Sequence, residues 1–126
     1  INSIGAKMER KELAEKYKLK HEDFWECHGN WILSHDAVTK IATIEKIKLD
    51  KIESIYQSET CCRFLITMSK DGNSITSVGE ASSGNCKMSY FGAMGEKRGI
   101  DRAVLKLINA YEYGIYSEVE AEDFKK

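Results

Sequence analysis

The sequence predicts an α+β fold: a twisted antiparallel β-meander of three to four strands with a long helix packed on one face, plus N-terminal helices. Three observations carry this. Hydrophobic spacing changes from a helical period to a period of two after Lys51, an Asp71-Gly72 pair separates two alternating runs, and a long amphipathic stretch follows from about Tyr90.

Taken in order, residues 7–19 (KMERKELAEKYKL) are strong helix formers with interleaved opposite charges, and Met8, Leu13, Ala14 and Tyr17 form a thin apolar stripe. A helix lying over the domain or against a neighbour is expected there. The next stretch, HEDFWECHGNWIL, is dense in aromatics and carries a turn at Gly29-Asn30 before a short strand at Trp31–Leu33. Phe24, Trp25 and Trp31 read as core or interface.

Ser34 is a helix N-cap, and Asp36 lies in the first turn, where the helix dipole favours a negative charge. Val38, Ile41, Ala42 and Glu45 share one side, so Ser34–Lys46 reads as an amphipathic helix and His35 as a surface residue at its start. IESIYQ is then a short strand. CCRFLITMSKDG sets Cys62, Phe64, Ile66 and Met68 against Cys61, Arg63, Leu65 and Thr67, and NSITSVGEA follows. Asp-Gly between two alternating runs signals a hairpin, so the middle third is a meander of three strands, or four with the piece at Trp31.

Ala81–Ser89 is a polar loop. In the long helix, Ala93, Ile100, Ala103, Val104, Leu107, Ile108 and Tyr111 occupy one arc, and Arg98, Arg102 and Lys106 a separate arc of about 80°. Gly92, Gly95 and Gly99 each cost this helix up to about 1 kcal/mol relative to alanine, and glycines in such a place permit close backbone approach to another element or a ligand. After Gly114, Ser117 and Glu120 form a capping box that opens a short acidic helix. The domain reading is a single unit over 1–126, with a core at 29–115, a helical extension at 1–28 and an acidic tail at 116–126.

A chain of 126 residues buries one modest core. Nineteen basic against twenty acidic residues leave a net charge of −1, so any polyanion site must be a local patch. No apolar run has the length of a membrane span and no secretion signal opens the chain, so a cytoplasmic protein is expected. The start at Ile1 and the end in Lys125-Lys126 suggest a piece of a longer protein. Cys27, Cys61, Cys62 and Cys86 read as free thiols, and a zinc site combining Cys27, His21, His28 or His35 with Cys61 or Cys86 lacks paired ligand spacing.

Chemistry is sparse. GEASSG lacks the lysine and spacing of a phosphate loop, and no histidine has an orienting partner in sequence. Glu80, Glu96 and Asp101 could hold magnesium for nuclease chemistry, but Lys97 and Asp101 also read as an ordinary i,i+4 pair. The basic set is more suggestive: Arg98, Arg102 and Lys106 on one helix edge, with Lys87 in the preceding loop, make the strip expected for holding a phosphate backbone. No catalytic residue, metal or cofactor is expected.

The order of elements, with WILSHDAVTKIA, then FLITMSKDGNSITSVGEA, then AMGEKRGIDRAVLKL, resembles the DNA-binding core of the single-strand annealing recombination mediators. This Rad-fifty-two-like superfamily includes many phage annealing proteins. The resemblance covers about Gly29 to Ile115 and implies a ring or filament of identical subunits that holds single-stranded DNA by its backbone. By position it implies DNA contacts at Arg98, Arg102 and Lys106, with Lys40 and Arg63 as further candidates. Asp36 departs from it, since the family often has a basic residue there. The alternatives are an interaction or regulatory module on the same fold, and a small metal-dependent nuclease.

Overall fold

The structure is a computed structural model and describes residues 3–82 and 91–120. It is α+β. In chain order it contains α1 (Ser3–Lys16), β1 (Phe24–Cys27), β2 (Asn30–Leu33), α2 (His35–Ile44), β3 (Lys48–Gln57), β4 (Cys61–Lys70), β5 (Asn73–Ser82), α3 (Phe91–Leu107) and β6 (Ile115–Ser117). None of these helices is long and apolar enough to cross a membrane.

The meander is β3-β4-β5, antiparallel throughout. Asp71 and Gly72 both take positive φ, 50° and 82°, the conformation that joins twisted strands in a two-residue turn and that glycine adopts without strain. The alternation read from β4 holds: Cys62, Ile66 and Met68 are buried on the helix-covered face, whereas Arg63 stands exposed on the other. β3 is interrupted by irregularities at Asp50 and Ile55.

The short strand at Trp31 is not a fourth strand of this meander. It belongs to a second sheet, β1-β2-β6, in which β1 and β2 form an antiparallel hairpin and β6 returns parallel to β2. β1 occupies residues assigned to the helical extension, and β6 lies where the acidic helix was expected to begin. Neither is legible locally, because strands of four and three residues give too little alternation and owe their pairing to distant partners. Ser117 does keep half of its expected box, its N–H donating to Glu120 Oε1 at 3.4 Å, but from a strand end followed by a turn; residues 121–126 lie outside the described part.

α2 begins as its sequence dictates, with Ser34 Oγ accepting from the Ala37 N–H at 3.0 Å. Its buried side, Ala37, Val38 and Ile41, meets Ala103, Val104 and Leu105 of α3 over Ile66 and Met68 of β4. The helix α3 ends at Leu107, and Asn109 at φ 59° breaks the continuation through Tyr111. Arg10 ties α1 down: its Nε donates to the Tyr113 carbonyl at 2.6 Å and its Nη2 to that of Gly29 at 3.1 Å.

The glycines of α3 now have a cause. At Gly79 of β5, an added Cβ would collide with the Gly95 carbonyl oxygen and stand 2.6 Å from Gly99 N. Helix and strand backbones touch directly, and a Cβ at Gly95 would stand 2.9 Å from Cys62 Sγ while one at Gly99 would meet Ile66 and, at 3.2 Å, the Gly79 backbone, so both glycines serve the close approach of α3 to β4 and β5. Gly92 has nothing within 4 Å of the same position.

Candidate functional site

The cations read from α3 do not form an exposed rail. Arg98 points inward and is only 6% exposed; its Nε donates to the Val119 carbonyl at 3.0 Å and its Nη1 to that of Glu80 at 2.9 Å. Arg102 donates through Nη1 to the Val78 carbonyl at 2.7 Å and pairs through Nε with Glu120 Oε2 at 3.4 Å. Val78 and Glu80 are two apart on an edge strand, so their carbonyls point to one side. Two arginines four apart on α3 cap that edge and bind the C-terminal turn to it. Of the three, Arg98 is buried, Arg102 is partly exposed and Lys106, in the last turn, is exposed. The reason is spatial: the close approach of α3 to β5 leaves this helix edge facing the strand and the turn after β6 instead of solvent.

The other candidates are dispersed. Arg63 lies on the open face of the meander, paired with Glu80 Oε1 at 3.0 Å and set over the Tyr56 ring at 5.9 Å. Lys40 reaches from α2 to the Lys18 carbonyl at the end of α1, at 2.8 Å. Lys87 falls outside the described residues.

Lys40 instead leads to a grouping that the sequence does not display. The half-buried carboxylate of Glu45 accepts from Tyr17 Oη at 2.9 Å, from Lys16 Nζ at 3.1 Å and, on its other oxygen, from Lys70 Nζ at 3.2 Å. Burial pushes the Glu45 carboxyl up, but the bonds from Tyr17, Lys16 and Lys70 outweigh it and hold the group below its usual range. Around this anchor, Lys18 and Lys40 share the end of α1, Lys46 follows α2, and Lys48 opens β3 opposite Ser69, next to Lys70. Six lysines thus gather where α1, α2 and the meander meet. Among the described residues, only Glu45 and, beside Lys70, Asp71 pair with them. No sequence periodicity signals this, because the lysines come from four elements.

A second group pairs across the fold. His35 Nδ1 lies 2.7 Å from Oδ1 of Asp101, whose side chain is fully buried. The bond to Asp101 raises the His35 pKa above its ordinary value, and burial pushes the Asp101 carboxyl up. The His35 N–H donates to Glu118 Oε1 at 2.7 Å. His35 therefore locks the start of α2 to α3 and to the turn after β6. The one clue in sequence was that Asp101 shares a helix face with Val104, Leu105 and Ile108, a core position for an acid.

Among the described residues, no three His, Cys, Asp or Glu side chains gather as metal ligands. Phe24 and Trp31 stack at 4.5 Å against the core, while Trp25 is exposed at a shallow groove bordered by Glu22 and Glu26. Compared with protein-family models, curated proteins and solved structures, the chain matches none.

Proposed function

We propose that the chain binds single-stranded DNA through its phosphate backbone and promotes annealing of complementary strands as a homo-oligomer. The observation that carries this reading is the lysine end. Lys16, Lys18, Lys40, Lys46, Lys48 and Lys70 concentrate positive charge on a protein of net charge −1. Such a patch attracts a polyanion without reading its bases, which annealing requires to stay free. The contact surface is then moved from Arg98 and Arg102, which hold β5 and the C-terminal turn, to the lysines around Glu45. Lys40 remains a contact residue, and Lys106 and Arg63 lie outside the patch.

Anisotropy titrations with a short single strand at several salt concentrations test this. Affinity is expected to fall with salt, with a log–log slope of about −0.7 per phosphate neutralised. Reversing Lys46 and Lys48 to glutamate weakens binding at least ten-fold, whereas Arg63→Glu leaves it unchanged. Absence of binding at low salt, or indifference to the lysine reversals, overturns the proposal. The engagement of Arg98 and Arg102 inside the fold favours a second reading in that event, an interaction module on the same fold.

A further inference from the structure

The two edges of the meander are treated differently. Along β5, Arg98 and Arg102 cap the carbonyls of Glu80 and Val78. Along β3, all ten residues are exposed, and among the described residues no strand pairs with the outer side. Leu49, Ile52, Ile55 and Tyr56 are the large apolar side chains left uncovered there. An edge strand with free backbone groups and apolar side chains is a template for another strand.

We propose that β3 is a self-association edge: two copies pair antiparallel through β3 about a two-fold axis at Ile52, joining two three-stranded meanders into one sheet. The occupant follows from the charge pattern Lys51-Ile52-Glu53. On β3, Leu49, Ile52 and Ser54 lie beside Met68, Ile66 and Phe64 on the helix face, and Lys51, Glu53 and Tyr56 beside Thr67, Leu65 and Arg63 on the open face. Residues opposite each other in an antiparallel pair share a face, so the register can change only in steps of two, which moves the axis by one residue.

An axis at Lys51 sets that lysine against its own copy, and an axis at Glu53 sets glutamate against glutamate; like charges directly opposite are destabilising. With the axis at Ile52, the isoleucine meets its own copy on the helix face. Lys51 then faces the partner's Glu53 twice on the open face. Lys51 and Glu53 already lie 3.9 Å apart within the strand, so the four charges alternate around the axis. The irregularities at Asp50 and Ile55 confine regular pairing to Lys51–Ser54, which keeps the association weak and reversible. This inference stands independently of nucleic-acid binding.

Sedimentation equilibrium of the full chain over a concentration series tests it, with circular dichroism confirming that each variant folds. The wild-type chain is expected to dimerise with concentration. Lys51→Glu and Glu53→Lys, each alone, associate at least ten-fold more weakly, because each places like charges opposite each other. Mixed in equal amounts, they form a heterodimer, since one variant presents an acidic edge and the other a basic one. The proposal is overturned if the wild-type chain stays monomeric at the highest concentration reached, if either variant associates as well as wild type, or if the mixture stays monomeric.

Discussion

Replacing Gly79 with alanine should unseat α3. The new Cβ would collide with the Gly95 carbonyl oxygen and stand 2.6 Å from Gly99 N and 2.8 Å from Gly99 Cα. Comfortable contact needs roughly 3.5 Å, so the helix must retreat by about 0.7 to 0.9 Å at Gly99 and by more than that at the Gly95 carbonyl. All three obstructing groups are backbone, and none can rotate away. The retreat loosens Ala103, Val104 and Leu105, which are fully buried. Overpacking of this kind costs about 1 to 3 kcal/mol, and a backbone-to-backbone clash belongs at the upper end. For a domain of this size, about 3 kcal/mol lowers Tm by about 10 °C. The control lies on the same helix: Gly92→Ala meets nothing within 4 Å, adds helix propensity, and should raise stability by a few tenths to about 1 kcal/mol. Thermal melts followed by circular dichroism measure both. A Gly79→Ala melt within about 2 °C of wild type, given that scale of about 3 °C per kcal/mol, would refute the direct contact of helix and strand.

Two further predictions separate structural from surface cations and fix a pH dependence. Arg98→Ala removes the donor for the Val119 and Glu80 carbonyls and should cost about 3 kcal/mol in urea denaturation. Arg63→Ala, on the open face, should leave the urea midpoint unchanged, and equal losses for the two variants would contradict the burial of Arg98. His35 has a raised folded pKa, so its protonated bond to Asp101 contributes stability that is fully present below about pH 6.5. That contribution is lost as pH rises through the raised folded value. Urea midpoints of wild type should therefore fall over this range, and those of His35→Gln should stay flatter; parallel curves would sink the assignment.

What could be read from the sequence was whatever local chemistry decides. Ser34 caps α2 because its hydroxyl needs only the N–H three residues on, and Asp71-Gly72 turns the hairpin because two residues suffice. The apolar arc of α3 likewise follows from 3.6-residue spacing. The inward turn of Arg98 was hidden, because a helical wheel separates polar from apolar positions but cannot tell solvent from the carbonyl edge of a strand. The His35–Asp101 pair lies 66 residues apart in the chain and leaves only the oddity of an acid among core residues. The lysine end was invisible for a similar reason, since Glu45 gathers cations from separate elements.

The capping of β5 makes solubility conditional on a helix. The carbonyls of Val78 and Glu80 are covered by side chains that exist at that edge only while α3 is docked. A fluctuation that lifts α3 does not merely expose apolar surface; it also bares a second strand edge. Aggregation on heating should then begin at the temperature where α3 detaches, ahead of loss of the meander itself, and substitutions on α3 should govern how long the protein survives in a warm tube more than substitutions anywhere on β3.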